Sequence, residues 1–450
     1  MKLLDQIWHN WREDRLLRTV FLNTSYLFSS NTASMGLSTV QSIFTARLLG
    51  VENFGLMGIV TTFASSVNNL FSFRMGELVV RYFTEFLAEK RLDRASALIK
   101  TAVLVEAISS VLSFLLLLLI SPLAARYLGG DPSTRIWFML FGISILGTII
   151  QETSTGILQV TRQFQSQAVI NVGQSILTTI IIVIAFFVHG GMLIVLIAYL
   201  IGKMILGIGP VVVAWFSLKK ILGSGWWKAS FSLLPPWREL SRFALSTNFS
   251  ATVNLLVRDS EILWIGFFLK PVDAGYYKVA LAIINLVSMP ITPFIRTTYP
   301  ELSRIVAQRA WSQLRQFLRR VTIVAGAWTG VTSLGLIVLG PLLIQFYGRD
   351  YLPAYPALLV LVIGFGVANI LFWNRALLLS LNQPQYALKV MFLVGLVKIA
   401  LAFILVPRFG FVVEAGLLSG WFIISIGLIV WRGLSEVHRV EINPATGVAL

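Results

Sequence analysis

The chain has 450 residues, of which 56% are hydrophobic and only 12% are charged, and its mean hydropathy is +0.81. Soluble globular domains carry about 25% charged residues, so this composition excludes a soluble protein and indicates an integral membrane protein. The sequence contains no cysteine, which excludes disulfides, thiol catalysis and cysteine-ligated metal sites.

Apolar stretches long enough to cross a bilayer recur along the whole chain. A spanning helix needs roughly 20 predominantly apolar residues. About twelve stretches qualify, near residues 20–45, 54–73, 98–120, 136–158, 168–188, 192–217, 243–269, 274–295, 321–346, 356–380, 386–406 and 411–431. Continuous apolar runs such as residues 112–120 lack the alternation of a transmembrane β-strand. The sequence therefore predicts an all-α polytopic membrane protein with about twelve transmembrane helices.

The two halves of the chain repeat one pattern at an offset of about 220 residues. Residues 48–60 match residues 268–280, and residues 162–165 match residues 382–385. Several matches at the same separation indicate an internal duplication of the sequence. In transporters such a duplication commonly produces two lobes around a substrate path. We therefore expect two homologous six-helix lobes.

The net charge of +16 is distributed unevenly between alternate loops. The largest basic clusters occupy corresponding places in the two repeats: Arg74, Arg81, Lys90, Arg91, Arg94 and Lys100, and Arg296, Arg304, Arg309, Arg315, Arg319 and Arg320. This asymmetry follows the positive-inside rule and places both termini in the cytoplasm. The basic residues are therefore expected to set topology and contact anionic membrane lipids, and no nucleic-acid partner is expected.

The spans and charges together predict five segments. They are a cytoplasmic N-terminal segment (1–19), an N-lobe with spans 1–6 (20–218), a cytoplasmic interfacial linker rich in tryptophan (219–241), a C-lobe with spans 7–12 (242–432) and a cytoplasmic tail (433–450).

The first span of each repeat carries a polar stripe. Ser250, Asn254, Arg258 and Glu261 in the seventh span match Ser30, Ser34, Ser38 and Gln41 in the first. Their spacing places them on one face of a helix. Two interpretations are open: the stripe lines a polar cavity, or it forms hydrogen bonds between helices.

Ionisable residues inside the spans are the other candidate functional groups. A charge at mid-bilayer costs about 2.5–3.5 kcal/mol on insertion scales, so it usually has a partner or a function. Arg258, Asp259 and Glu261 lie within one turn and could neutralise one another as a structural cluster. Lys203 has no obvious carboxylate neighbour in the sequence, whereas Lys389 and Lys398 could snorkel toward a membrane surface, an interpretation that fits Lys389, near a helix end, better.

Signatures of catalysis and of cofactor binding are missing from the sequence. The histidines at positions 9, 189 and 438 have no metal-ligand spacing, and there is no phosphate-binding glycine loop of the nucleoside-triphosphatase kind. We therefore expect a transporter rather than an enzyme, with no cofactor and no metal site.

Three segments resemble a known family. Residues 46–60, 275–305 and 346–364 are similar to the polysaccharide-biosynthesis membrane proteins, the O-antigen and exopolysaccharide flippases of the multidrug/oligosaccharidyl-lipid/polysaccharide exporter superfamily. The resemblance implies two six-helix lobes around a central V-shaped cavity that opens alternately to either side. It implies translocation of undecaprenyl-pyrophosphate-linked oligosaccharide across the bacterial inner membrane for lipopolysaccharide or exopolysaccharide export. Lipid-linked oligosaccharide and membrane lipids are then the expected partners, and other polysaccharide-assembly proteins are candidates.

Such a substrate needs cations for its pyrophosphate and polar groups for its sugars. The candidate cations are Arg258, Arg375 and Lys203, and the candidate sugar contacts are Asn31, Ser34, Asn248 and Asn254.

Two alternatives remain open at this stage. An ion-coupled drug or metabolite antiporter of the same superfamily would use intramembrane carboxylates, for which Asp259, Glu261 and Glu152 are the candidates. A non-transporting subunit of a glycan-assembly complex would keep the cavity only as a vestige.

Overall fold

The structure, a computed structural model, describes residues 15–233, 252–288 and 291–442. Within these residues every regular secondary-structure element is helical. The predicted all-α fold is therefore confirmed.

Seven α-helices of the described chain precede the linker. They are α1 (Arg15–Phe71), α2 (Met75–Ala88), α3 (Leu92–Tyr127), α4 (Arg135–Gly147), α5 (Gln151–Val160), α6 (Phe164–Phe187) and α7 (Met192–Leu222).

Among the described residues after the linker there are eight further α-helices. They are α8 (Glu261–Phe268), α9 (Pro271–Ser288), α10 (Thr292–Ala307), α11 (Trp311–Gln345), α12 (Tyr355–Ile370), α13 (Asn374–Ser380), α14 (Pro384–Phe409) and α15 (Phe411–Ile442).

Nine helical segments in the described part of the chain are long and apolar enough to cross a membrane. Large apolar side chains remain exposed along them, with Leu119 at 75% and Val331 at 72% of their full accessible area. Such surfaces are stable only against lipid, so the protein is a multi-pass membrane protein.

Four predicted spans differ in detail from the observed helices. Spans 1 and 2 form a single run, α1, interrupted at Gly50, whose φ of 71° lies in the left-handed region that favours glycine. Spans 4 and 10 are each broken into two helices, at residues 148–150 and 371–373. The breaks occur at matching places in the two repeats.

The chain forms two compact units. Unit 1 contains Val67–Ser121, Ile136–Phe249 and the chain up to Thr45, and unit 2 contains Ala46–Ser66, Pro122–Arg135 and the chain from Ser250 onward. Two short segments of the first repeat therefore pack with the second repeat.

Each unit has its own hydrophobic core. In unit 1, buried residues of α2, α3, α5 and α7 form one cluster that includes Phe83, Ile99 and Leu158. In unit 2, the cluster comes from α10, α11, α13 and α15 and includes Leu302 and Leu377. These helices occupy the same four positions in the two repeats, so the duplication predicted from the sequence extends to the packing.

Candidate functional site

A short π-helix shapes the candidate site in unit 2. Residues Leu255–Asp259 form a π-helix, in which the backbone N–H of Ser260 donates to the Leu255 carbonyl at 3.0 Å. Arg258 is exposed, whereas Glu261 is only 1% exposed. The wider turn shifts the helix register, so these two residues do not share the polar stripe that regular helical spacing predicts. π-Turns within α-helices are frequent at functional sites.

Arg258 and Arg375 approach each other in unit 2. Arg375 is exposed in the first turn of α13, directly after the break in the tenth span, and its guanidinium is close enough to that of Arg258 for their charges to repel. Neither arginine forms a salt bridge with any residue of the described chain. The Phe422 ring lies beside Arg258, with its centroid 5.7 Å from Cζ. Two cations that form no salt bridge within the described residues therefore make a site suited to an anion.

The predicted sugar contacts are distributed over both units. Asn254 is half-buried in unit 2, one turn before Arg258. In unit 1, Asn31 is exposed, and the Ser34 hydroxyl donates to the Asn171 carbonyl at 3.2 Å. Asn248 lies outside the described residues.

The exposed face of α1 in unit 1 is polar. Ser29, Asn31, Thr32 and Ser38 are all exposed. Polar groups of this density are costly against hydrocarbon, so this face contacts water or a polar ligand. Of the four residues of the predicted stripe, only Ser38 is exposed on this face. Ser34 and Gln41 donate hydrogen bonds to residues of α6, so hydrogen bonding between helices accounts for those two.

Lys203 is exposed on the otherwise buried side of α7 in unit 1. Leu196, Gly207 and Pro210, which lie on the same face one or two turns away, are buried. The lipid-exposed residues of this helix, such as Ile208 at 55%, lie on the opposite side. The Lys203 ammonium therefore points away from lipid, as expected for a residue that contacts a polar substrate.

Glu261 belongs to a buried charge cluster inside unit 2. Its carboxylate forms a salt bridge with Lys398 and accepts a hydrogen bond from the Tyr277 hydroxyl at 2.6 Å. The Lys398 ammonium also lies 2.9 Å from a Glu414 oxygen and donates to the Val257 carbonyl at 2.9 Å. One lysine is shared by two carboxylates, so the cluster has the capacity to bind one additional proton or small cation.

This cluster differs from the pairing that the sequence suggested. Glu261 pairs with Lys398 rather than with Arg258, and Lys398 is buried at 3% exposure rather than snorkelling. Glu414 was missed by the sequence analysis. The sequence feature that could have identified Glu414 is its place in the first turn of a predicted span. A carboxylate buried there requires a cation from another helix.

Glu152 belongs to a separate network in unit 1. Its carboxylate accepts a hydrogen bond from the Ser72 hydroxyl at 2.7 Å. The backbone N–H groups of Glu152 and Thr153 donate to the Glu106 carboxylate at 2.7 and 2.9 Å, so Glu106 caps the N-terminus of α5. Glu152 is therefore held by local contacts, while Asp259 is exposed beside Arg258 in unit 2.

Glu152 and Arg375 lie at corresponding places in two discontinuous membrane helices. Glu152 and Arg375 each lie in the first turn after a helix break, in α5 and α13 respectively. Paired breaks in corresponding spans of two repeats commonly lie beside transporter binding sites. Within the described residues, no group of three or more His, Cys, Asp or Glu side chains could hold a metal ion.

Solved structures of transporters share this fold. An inward-facing multidrug resistance MATE family transporter of the MOP superfamily has a TM-score of 0.74 at 12% identity, covering 92% of this chain and 96% of the other. The lipid II flippase MurJ, in an inward closed conformation, has a TM-score of 0.67 at 17% identity and covers 92% of each chain. At these identities the likeness establishes the two-lobe fold alone.

Sequence comparison establishes the family. The inner membrane protein YghQ of Escherichia coli (strain K12) is 23% identical over 353 residues, which cover 77% of this chain and 97% of that protein. The family model described as polysaccharide biosynthesis protein matches residues 20–306, which is more than half of the chain. The chain therefore belongs to the polysaccharide biosynthesis protein family.

Proposed function

We propose that this protein is a flippase that moves an undecaprenyl-pyrophosphate-linked oligosaccharide from the cytoplasmic to the outer leaflet of a bacterial inner membrane by alternating access. The exported unit would serve surface polysaccharide synthesis, either O-antigen of lipopolysaccharide or exopolysaccharide. In this proposal both termini are cytoplasmic, and the protein is a transporter rather than an enzyme.

The observation that carries this proposal is the Arg258–Arg375 pair, which forms no salt bridge within the described residues. A guanidinium donates several hydrogen bonds in a fixed plane, which suits phosphate oxygens and favours a bidentate contact. A pyrophosphate presents at least two negative charges, so it would neutralise both arginines at once. A cationic drug would instead be repelled from this position.

In this proposal the other candidate residues also bind parts of the substrate. Lys203 would attract the pyrophosphate from unit 1, while Asn31, Ser34, Asn248 and Asn254 would bind sugar hydroxyls. Exposed polar side chains on α1 support this assignment, because an oligosaccharide needs many hydrogen-bonding partners along its path.

The membrane potential provides a driving force for this reaction. An inside-negative potential of 100 mV favours the outward movement of one negative charge by about 2.3 kcal/mol. A substrate with two phosphate charges would gain about twice that amount. Flipping that does not change when the potential is collapsed would contradict this part of the model.

A second candidate function is supported by the Glu261–Lys398–Glu414 cluster. Two buried carboxylates that share one lysine would form a proton or cation site of the kind that an ion-coupled antiporter requires. Asp259 and Glu152 remain candidate coupling residues in this alternative. Uptake of small organic cations by the purified protein, driven by a pH or sodium gradient, would favour it.

The proposed function is tested by deleting the gene in its host and measuring surface polysaccharide and lipid-linked oligosaccharide in inner-membrane extracts. We expect loss of the polymer and accumulation of the lipid-linked unit on the cytoplasmic leaflet. Complementation by Arg258→Gln or Arg375→Gln should fail, whereas Arg320→Gln, which removes an exposed charge from the start of α11, should restore the polymer.

The alternatives predict different results. Unchanged levels of both molecules after deletion, in a host without a second copy of this function, would favour the antiporter. Full complementation by both arginine variants would favour a non-transporting subunit of a glycan-assembly complex.

A further inference from the structure

Two glycines at equivalent repeat positions form a close crossing within unit 2. A Cβ added to Gly55 would lie 1.8 Å from the Pro271 carbonyl oxygen, and a Cβ added to Gly275 would lie 2.3 Å from the Val51 carbonyl oxygen. The contact is reciprocal, because Val51 and Pro271 are themselves related by the repeat offset. Backbone carbonyl groups face both glycines at this crossing, and the Val51 side chain also contributes, with its Cγ1 3.0 Å from a Cβ added to Gly275.

Lys278 lies one turn beyond Gly275 and is packed against the same crossing. Its Nζ is 4.2 Å from the ring centroid of Phe54, which is fully buried. The lysine stem passes Gly58, where an added Cβ would lie 2.8 Å from the lysine Cδ. Lys278 is half-buried and forms no salt bridge with any residue of the described chain.

This arrangement leaves the Lys278 amine without a carboxylate partner among the described residues. A cation–π contact offsets only part of the cost of a membrane-embedded charge. A purely structural residue at this place would pack as well without the charge, since Phe54 and Gly58 offer only apolar surface. The retained ammonium therefore points to an anionic ligand that is bound when the contact with Phe54 is broken.

We propose that Lys278 is a second binding residue for the substrate's diphosphate, masked by Phe54 while the Gly55–Gly275 crossing is closed and exposed when it opens. This inference rests on the proposed flippase function. It assigns the anion a second position on its path, distinct from the Arg258–Arg375 pair.

The position of Lys278 along its helix agrees with such a path. With a helical rise of about 1.5 Å per residue, Lys278 lies about 10 Å along its helix axis from the loop before α9. Arg258 lies about 16 Å along its own helix axis from the same loop. The positive-inside prediction places this loop at the outer membrane surface. A diphosphate released from Arg258 and Arg375 would therefore meet Lys278 on its way outward.

Anion binding by Lys278 is tested directly with inorganic pyrophosphate as the probe. Purified protein in lipid nanodiscs is treated with a membrane-impermeant amine-reactive reagent, and modification of Lys278 is quantified by peptide mass spectrometry. Gly275→Val should hold the crossing apart and increase Lys278 modification several-fold over wild type. Pyrophosphate should then suppress modification of Lys278 but not of Lys389, which is exposed elsewhere in unit 2.

Two results would overturn the inference. One is Lys278 modification that pyrophosphate does not reduce, and the other is modification that does not increase when the crossing is opened. If Gly275→Val does not yield folded protein, Gly55→Ala opens the same crossing from the other side and is subject to the same two criteria.

Transport measurements separate this inference from the proposed function. In reconstituted flipping, Lys278→Gln should slow transport by about tenfold while Lys278→Arg restores it, because the role requires charge rather than shape. Wild-type transport by Lys278→Gln would overturn the inference and leave the proposed function standing. Absence of transport by the wild-type protein would overturn the proposed function, while the labelling experiment would still decide whether Lys278 binds a diphosphate.

Discussion

Lys398 neutralises Glu261 at a position where the first repeat uses a neutral contact instead. Glu261 matches Gln41, whose side-chain amide donates to the Ser175 carbonyl and the Thr179 hydroxyl, both at 3.0 Å. The first and fifth spans are thus joined at the same place in each repeat. Among the described residues, this contact is charged in the second repeat and neutral in the first, and an additional carboxylate, Glu414, lies 2.9 Å from Lys398.

Removing Lys398 should strongly destabilise the protein. Lys398→Met would leave two buried carboxylates without a cation, and breaking a buried ion pair by removing one partner costs about 3–5 kcal/mol. Thermal unfolding of the detergent-purified protein measures the effect. Lys389→Met, at an exposed position of the same helix α14, is the matched control and should unfold like wild type. Equal unfolding temperatures for the two variants would contradict the buried pairing.

Removing Glu414 should have a different effect. Glu414→Gln eliminates the excess negative charge but leaves Lys398 paired with Glu261, so we expect a folded protein with only a small loss of stability. If the cluster couples transport to protons, the variant should transport at a rate that no longer depends on a pH gradient. A gradient dependence identical to wild type would exclude Glu414 as the coupling residue.

The crossing of the two repeats predicts opposite effects for two glycine substitutions in one helix. Gly55→Ala places a Cβ against the Pro271 carbonyl and should destabilise the protein by about 1–3 kcal/mol, as overpacking does. Gly36 has no atom within 4 Å of an added Cβ, so Gly36→Ala should be neutral or stabilising by up to about 1 kcal/mol. Thermal unfolding of both variants tests this, and a harmless Gly55→Ala would show that the backbones do not meet there.

Glu106 should be important for the broken fourth span. Glu106→Ala leaves the first N–H groups of α5 without their acceptor, which costs about 1–2 kcal/mol for a helix cap and more for buried groups. Glu106→Gln keeps one acceptor and should lose about half as much. Glu77→Ala, at an exposed position of α2, provides the control in the same thermal measurement. A Glu106→Ala protein as stable as this control would contradict the capping role.

The sequence predicted the helices well because hydrophobic length is a strong local signal. Predicted spans such as 168–188 and 192–217 agree with α6 and α7 to within a few residues at most of their ends. The internal repeat was also readable, since matched loops kept a constant offset.

Other features depend on packing that local sequence does not encode. The π-helix at Leu255–Asp259 adds one residue to a helical turn, and no residue type in the sequence indicates it. The prediction from regular α-helical spacing that Arg258 and Glu261 share one face was therefore wrong. Pairing of Lys398 with Glu414 requires knowing how α14 and α15 lie together. Lys278 could not be identified from the sequence, because the group that it contacts is the ring of Phe54 in the first repeat and not a carboxylate close to it in the sequence.

The central claim is that the Arg258–Arg375 pair carries a lipid-linked diphosphate across the membrane. The most direct measurement is the rate at which purified protein in proteoliposomes flips undecaprenyl-pyrophosphate-linked oligosaccharide, compared among wild type, Arg258→Gln, Arg375→Gln and the control Arg320→Gln. We predict flipping by wild type and by Arg320→Gln, and rates at least about tenfold lower for the other two variants. Wild-type rates in both site variants, or no flipping by the wild-type protein, would contradict the account.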